Sequence, residues 1–319
     1  MINRLVSVAP MLKCTDKHFR YIVRQLSKHV LLYTEMITTG ALLRGDRQRF
    51  LAFDSIEAPL ALQLGGSDPH DLATCSKMAE SYGYDEVNLN VGCPSDTVQA
   101  GEFGACLMKK PELVAECVAA MADAVQVPVT VKCRIGVDDS ADYDHLADFV
   151  SKVCKAGCQT FIVHARKAWL KGLSPKQNRH IPPLRYDIVE KLKREFQSLT
   201  IVLNGGIKTV DAIQMHLQHF DGVMVGREIY QNPFVLAEIE QAVFGANNVI
   251  TPNQIVEAIQ PYVRMQLELG VNLASIGRHL MGIFCNKPGG KLWRRYLSEN
   301  IHRHDADEHT LLAGLKYVA

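Results

Sequence analysis

The chain predicts an α/β fold, a (β/α)8 TIM barrel followed by a small all-helical C-terminal domain, and three observations carry that expectation. Eight short apolar runs rich in β-formers recur along the chain, amphipathic stretches of helical period separate most of them, and strand-like runs cease after Asn232 and Pro233. Eight strands alternating with helices over about 230 residues match the count and size of such a barrel. An open doubly wound sheet is the competing arrangement. Against it, no G-x-G-x-x-G follows the first run, and "LGGSD" at Leu64 has the wrong glycine spacing for a dinucleotide fingerprint.

The elements follow in order. "LVSVA" at Leu5 and "LLYTEM" at Leu31 open the barrel, and "LALQL" at Leu60 ends near the amide of Gln63. "EVNLNV" at Glu86 ends at Asn90 and is followed by "GCPSD". Proline bars its predecessor from helical geometry and glycine permits a sharp turn, so Cys93 belongs in an extended loop just past a strand. "PELVAECVAAMADAV" from Pro111 has helical period; "VTVKC" at Val129 forms the next strand and ends near Lys132. "DYDHLADFVSKVCKAG" from Asp142 is helical, with Gly157 as its C-cap. "TFIVH" at Thr160 ends at His164, "TIVLN" at Thr200 in Asn204-Gly205-Gly206, and "GVMVG" at Gly222 in Gly226-Arg227. From about Thr251 the pattern is helical to the end, after a linker at residues 244–254, "FGANNVITPNQ". The division expected is therefore 1–243 and 244–319.

Composition narrows the class. Hydrophobic residues make up 47% and charged residues 22%, the balance of an ordinary globular protein. Nine cysteines without paired spacing, and no secretory signal in "MINRLVSVAP", point to a reducing cytoplasm. Cys154 and Cys158 lack a second Cys/His pair at zinc spacing and read as helix and core residues, so no metal is expected. No membrane-length apolar run is present, and no obligatory protein partner is evident. The net charge is only +1, but its distribution is uneven. Residues 164–185 hold Arg166, Lys167, Lys171, Lys176, Arg179 and Arg185 with no Asp or Glu; residues 278–304 hold Arg278, Lys287, Lys291, Arg294, Arg295 and Arg303 against Glu299. Two such segments suggest a local polyanion site, with a solvated charged face as the alternative.

In a barrel, chemistry belongs where strands end. An amide, a thiol, a lysine and an imidazole (Gln63, Cys93, Lys132, His164) should converge on one mouth, beside two glycine loops able to present backbone N–H groups to phosphate, with Arg227 as the nearby cation. Taken singly, Gln63 could satisfy neighbouring backbone groups, His164 could bond locally and Lys132 could be a solvated loop charge. Together they suit a phosphate-bearing cofactor with a polar planar ring, a description that fits a flavin.

The motifs "VAPM" at Val8, "LNVGCPS" at Leu89, "VKCRIG" at Val131, "VHARKAWLKGLSPK" at Val163, "LNGGI" at Leu203 and "VMVGREIYQNPF" at Val223 resemble those of the tRNA-dihydrouridine synthases across essentially the whole chain. "GLSPKQNRHIPPLRYD" from Gly172 and "KLWRRYLSEN" from Lys291 are similar to the A subgroup, associated with uridines 20 and 20a of the tRNA D-loop. The resemblance implies an FMN-bearing barrel with a helical tRNA-binding domain. FMN would be held by Ala9, Pro10, Met11, Gln63, Lys132 and His164, with Asn204, Gly205, Gly206, Gly226 and Arg227, and NADPH (or NADH) would reduce it. Reducing the uracil C5–C6 bond takes a hydride at C6 and a proton at C5, and the resemblance implies Cys93 as proton donor. An ordinary thiol, with a pKa of about 8.5, is mostly protonated at neutral pH and can serve as that acid. Asn90 would meet the base or ribose, and Lys176, Arg179, Lys291, Arg294 and Arg295 the RNA backbone. Other readings are a flavin barrel acting on a free pyrimidine, resembling dihydroorotate dehydrogenases; an aldolase-like barrel with Lys132 as Schiff-base lysine; and a non-catalytic tRNA-binding protein.

Overall fold

The computed structural model describes residues 2–139, 143–247 and 250–318. Eight parallel strands form one sheet: β1 (Val6–Val8), β2 (Leu32–Thr38), β3 (Leu60–Gly65), β4 (Glu86–Val91), β5 (Val129–Arg134), β6 (Thr160–His164), β7 (Thr200–Asn204) and β8 (Gly222–Val225). Their order is β1-β8-β7-β6-β5-β4-β3-β2. The ring closes through a bridge between Ser7 and Leu31, where Val8 N donates to Leu31 O at 2.9 Å and Leu31 N to Val6 O at 3.1 Å. The barrel expected from the alternating runs is thus present, and the doubly wound alternative is not.

Strands covered on both faces bury every position, and β3 and β4 are buried throughout. Successive side chains point to opposite faces. Val87, Leu89 and Val91 of β4 join the core shared with the outer helices, while Leu31, Tyr33, Ala61, Ile162, Val202 and Met224 form a separate apolar cluster inside the barrel. The helices expected at Pro111 and Asp142 span Pro111–Ala124 and Tyr143–Lys155; Asp142 itself lies outside the described residues. Gly157, at φ +112°, takes the left-handed conformation that ends the second of them.

Beyond β8 the described chain is helical, with helices Arg227–Gln231, Val235–Phe244, Pro252–Ala258, Gln260–Glu268, Leu273–Gly277, Gly290–Asn300 and Glu308–Gly314. Within the expected linker, Gly245 ends one helix, Thr251 caps the next, and Asn248 and Val249 lie outside the described residues. Trp293 is fully buried in this region, and its indole N–H donates to Leu280 O at 2.9 Å. The helical region docks on the helix Lys17–Leu26. Tyr262 stacks on Tyr21 with ring centroids 3.7 Å apart and bonds His18 at 2.7 Å, while Asp16 receives Arg278 and His279. This contact sets the helical region beside the C-terminal rim of the barrel, because Asp16 follows directly on the β1 loop. Among the described residues no helix is long and apolar enough to cross a membrane.

Candidate active site

The polar residues inside β3, β4 and β5 form a directed column of hydrogen bonds that rises from the barrel floor to the Cys93 loop. At the floor, the buried carboxylate of Glu86 accepts from Arg4, from Tyr33 Oη at 2.6 Å and from Thr130 Oγ1 at 2.6 Å. Asn88 Nδ2 donates to Thr130 Oγ1 at 2.8 Å, Gln63 Nε2 to Asn88 Oδ1 at 2.8 Å, and Asn90 Nδ2 to Gln63 Oε1 at 2.8 Å. Asn90 Oδ1 then accepts the backbone N–H groups of Gly92 and Cys93 at 3.1 and 3.0 Å. Each amide is oriented by its neighbour, so the top of the column presents a carbonyl to the Cys93 loop. Gln63 is therefore held by side chains rather than by backbone, and one Nε2–H of Gln63 and one Nδ2–H of Asn90 remain for another partner.

Cys93 sits half-buried just past β4, in the loop that its glycine and proline neighbours predict. Its Sγ lies 3.6 Å from Ser95 Oγ. Across the mouth, Lys132 Nζ donates to Asn204 Oδ1 at 3.0 Å, and Asn204 Nδ2 donates to Met224 O at 2.8 Å. Lys132 thus belongs to β5 and is no loop charge. Burial, joined by the neighbouring Arg134, lowers its pKa to about 8. His164, at the end of β6, is driven well below the usual histidine range first by burial and then by Arg134, Lys132, Arg166 and Arg227. Burial and these cations together favour its neutral form. Among the described residues its buried Nδ1 has no hydrogen-bond partner, so His164 does not bond locally through that atom.

The two glycine loops lie beside this group. Gly205 and Gly206 have φ of +117° and +75°, and a Cβ on Gly205 would come 3.3 Å from His164 Cε1. Gly226 is as close to the β1 loop, where its Cβ would meet Ala9 Cβ at 3.3 Å and Met11 Sδ at 3.5 Å. Pro10 lies between those two residues, and Ala9 N donates to Val225 O at 2.8 Å. Arg227 opens the helix after β8; its Nη1 donates to His180 Nε2 at 2.5 Å and its Nη2 lies 3.5 Å from Arg179 O. A flavin phosphate and ring fit this donor set: an ammonium with one neutral partner, an imidazole nitrogen with no partner among the described residues, and the positive-φ backbone of Gly205 and Gly206.

The basic residues fall in two places. Lys176 and Arg179 are exposed at the turn Gln177–Arg179, on the loop after β6 that overhangs the mouth. Lys291, Arg294 and Arg295 are exposed on the helix Gly290–Asn300, whose inner side carries Trp293 and Leu297. Arg295 there pairs with Glu299 at 2.8 Å. A cleft of about 880 Å³ opens on the flank of the rim, lined among others by Leu12, Glu35, Met36, Phe50, Ser275 and Arg278. It is separate from the point where Cys93, Lys132 and His164 converge.

Sequence reasoning passed over Glu86, Asn88 and Thr130, although the polar residues of "EVNLNV" recur at every second position and so share one strand face. It also passed over Arg134, two residues beyond Lys132 and on the same face, which donates from Nε to Gly92 O at 3.1 Å and from Nη1 to Lys167 O at 3.1 Å and Asn178 O at 3.0 Å.

The chain is similar to known proteins along nearly its whole length. The family model described as dihydrouridine synthase matches residues 7–317. A protein of Vibrio parahaemolyticus named tRNA-dihydrouridine(20/20a) synthase is 57% identical over 300 residues, covering 93% of this chain and 92% of the relative. Proteins of the same name from Shewanella oneidensis and Escherichia coli K12 are 55% and 56% identical, covering 96% and 98% of this chain and 91% of each relative.

Proposed function

Because the chain belongs to the dihydrouridine synthase family, we propose that it is an oxidoreductase that reduces the C5–C6 double bond of tRNA uridines, at positions 20 and 20a of the D-loop, to 5,6-dihydrouridine. The observation that carries the chemistry is Cys93: a half-buried thiol on a loop fixed by Asn90, facing a mouth that also holds Lys132 and His164. Family membership sets aside the aldolase-like and free-pyrimidine readings.

The cofactor of this reading is FMN, which when reduced by NADPH (or NADH) supplies the hydride for uracil C6. Lys132, His164 and Gln63 would meet its ring, and Asn204 with the Gly205-Gly206 and Gly226-Arg227 loops its phosphate. Ala9, Pro10 and Met11 would close the side nearest β1. Cys93 gives its thiol proton to C5, and the thiolate left behind regains a proton from solvent, so hydride and proton together saturate the bond. Asn90 keeps one Nδ2–H for the base or ribose. Lys176, Arg179, Lys291, Arg294 and Arg295 grip the RNA backbone, which the enzyme needs because a base in folded tRNA must be drawn out of its stack. The catalytic unit is residues 1–243 and the tRNA-binding unit 244–319, working in the cytoplasm where tRNA is found. Mass mapping of tRNA from cells lacking the protein tests this: dihydrouridine should vanish at positions 20 and 20a, and its persistence at both would refute the assignment.

A further inference from the structure

Five backbone polar groups surround the Cys93 thiol: the N–H groups of Gly92 and Cys93 and the carbonyls of Gly92, Cys93 and Pro94. Each has a partner. Asn90 Oδ1 takes both N–H groups, and Ala105 N donates to Cys93 O at 2.8 Å. Arg134 Nε donates to Gly92 O at 3.1 Å, and Gln99 Nε2 to Pro94 O at 2.9 Å. The last two donors reach further. Arg134 Nη1 also donates to Lys167 O and Asn178 O, and Gln99 Nε2 also donates to Leu170 O at 2.9 Å.

Those three carbonyls belong to the basic loop that carries Lys176 and Arg179. That loop is itself rigid, because buried Asn178 donates to Trp169 O at 2.9 Å and Leu173 O at 3.1 Å and accepts from Trp169 N at 2.7 Å. We propose that Arg134 and Gln99 are positioning residues that fasten the Cys93 loop, on either side of the thiol, to the basic loop at residues 167–179. RNA held on one loop then meets the acid carried by the other at a fixed offset. The inference rests on the function proposed above.

Two features support it. Arg134 is 5% exposed and, among the described residues, makes no ion pair. A guanidinium buried against carbonyls alone is costly, so its hydrogen-bonding fork has to supply what an apolar side chain could not. Gln99 spends both amide protons on the same two loops that Arg134 joins, so the link is made twice by unrelated elements, the strand β5 and the helix Asp96–Ala100.

The test replaces Gln99 by leucine, similar in size but without donors, and uses the FMN-loaded protein. Small misplacement of a reacting group costs roughly tenfold or more in rate. Turnover of saturating tRNA should therefore fall about tenfold, while tRNA affinity and reduction of bound FMN by NADPH stay within about twofold of the parent. The readout that bare structural support would not move is alkylation of Cys93 by iodoacetamide, followed on the Cys93 peptide by mass: loosening the loop should accelerate it severalfold. Arg134→Lys, which keeps the charge but loses the fork, should change both quantities in the same direction and stands in if Gln99→Leu fails to fold. Parental turnover with parental alkylation in either variant overturns the proposal, as does a loss confined to tRNA affinity. A parent protein inert toward tRNA would instead sink the proposed function, and the alkylation comparison would still decide for or against the fastening.

Discussion

Lys132 shows how one residue's surroundings set the reaction's pH range. Burial leaves its ammonium charged only below about pH 8, whereas an ordinary lysine holds its proton to 10.5. If that charge supports an electron-rich flavin, reduction of bound FMN by NADPH should slow as pH rises through about 8. Lys132→Arg, with a guanidinium that stays charged, should lack this limb. Stopped-flow measurement between about pH 6.5 and 9.5 checks it, and a flat parental profile would dismiss Lys132 from that role. Stability carries the opposite sense. Between about 8 and 10.5 the unfolded chain binds a proton that the folded chain lacks, so stability contributed by this group rises with pH across that window. The mouth residues were legible in the sequence because they stand at strand ends, where barrels keep their chemistry. Arg134 and Gln99 were not, because both act on backbone carbonyls, and a carbonyl offers no residue type to read.

At the scale of elements, β4 carries more than its motif suggests. Read as an apolar run, "EVNLNV" announces a buried strand; read by face, it sets Glu86, Asn88 and Asn90 in one file inside the barrel. The file is what joins floor to rim, through Thr130 and Gln63 on the neighbouring strands. Its partners lie on other strands, so the alternation in sequence gave the face but not the connections. Glu86 is the costliest member to lose, since it is fully buried and takes donors from Arg4, Tyr33 and Thr130. Glu86→Ala would leave a partly buried cation and the donors of two buried hydroxyls without their acceptor, and should destabilise the fold by about 3–5 kcal/mol. Urea unfolding measures this; a change below about 1 kcal/mol would mean that the column is not what stiffens the barrel.

For the whole molecule, the barrel and the loss of strand pattern after Pro233 could be read from the sequence, but the docking of the helical region could not. That docking unites residues hundreds of positions apart, such as His18 with Tyr262 and Asp16 with His279, and no local pattern encodes it. It sets the helix Gly290–Asn300 as a second basic surface. There Arg294 and Arg295 are not equivalent, because Glu299 already pairs with Arg295. Arg294→Ala should lower the slope of log tRNA affinity against log salt by roughly 0.7 to 0.9, and Arg295→Ala by less. Binding titrations at several salt concentrations check both, and two unaltered slopes would remove this helix from RNA recognition. The central claim, that the mouth reduces tRNA uridines with Cys93 as the acid, is tested most directly by mapping dihydrouridine in unmodified tRNA after incubation with purified, FMN-loaded protein and NADPH. The parent should add two hydrogens at positions 20 and 20a, while Cys93→Ala should keep its FMN, accept electrons from NADPH and leave those uridines nearly untouched. No dihydrouridine from the parent, or an equal yield at an equal rate from Cys93→Ala, would contradict the account.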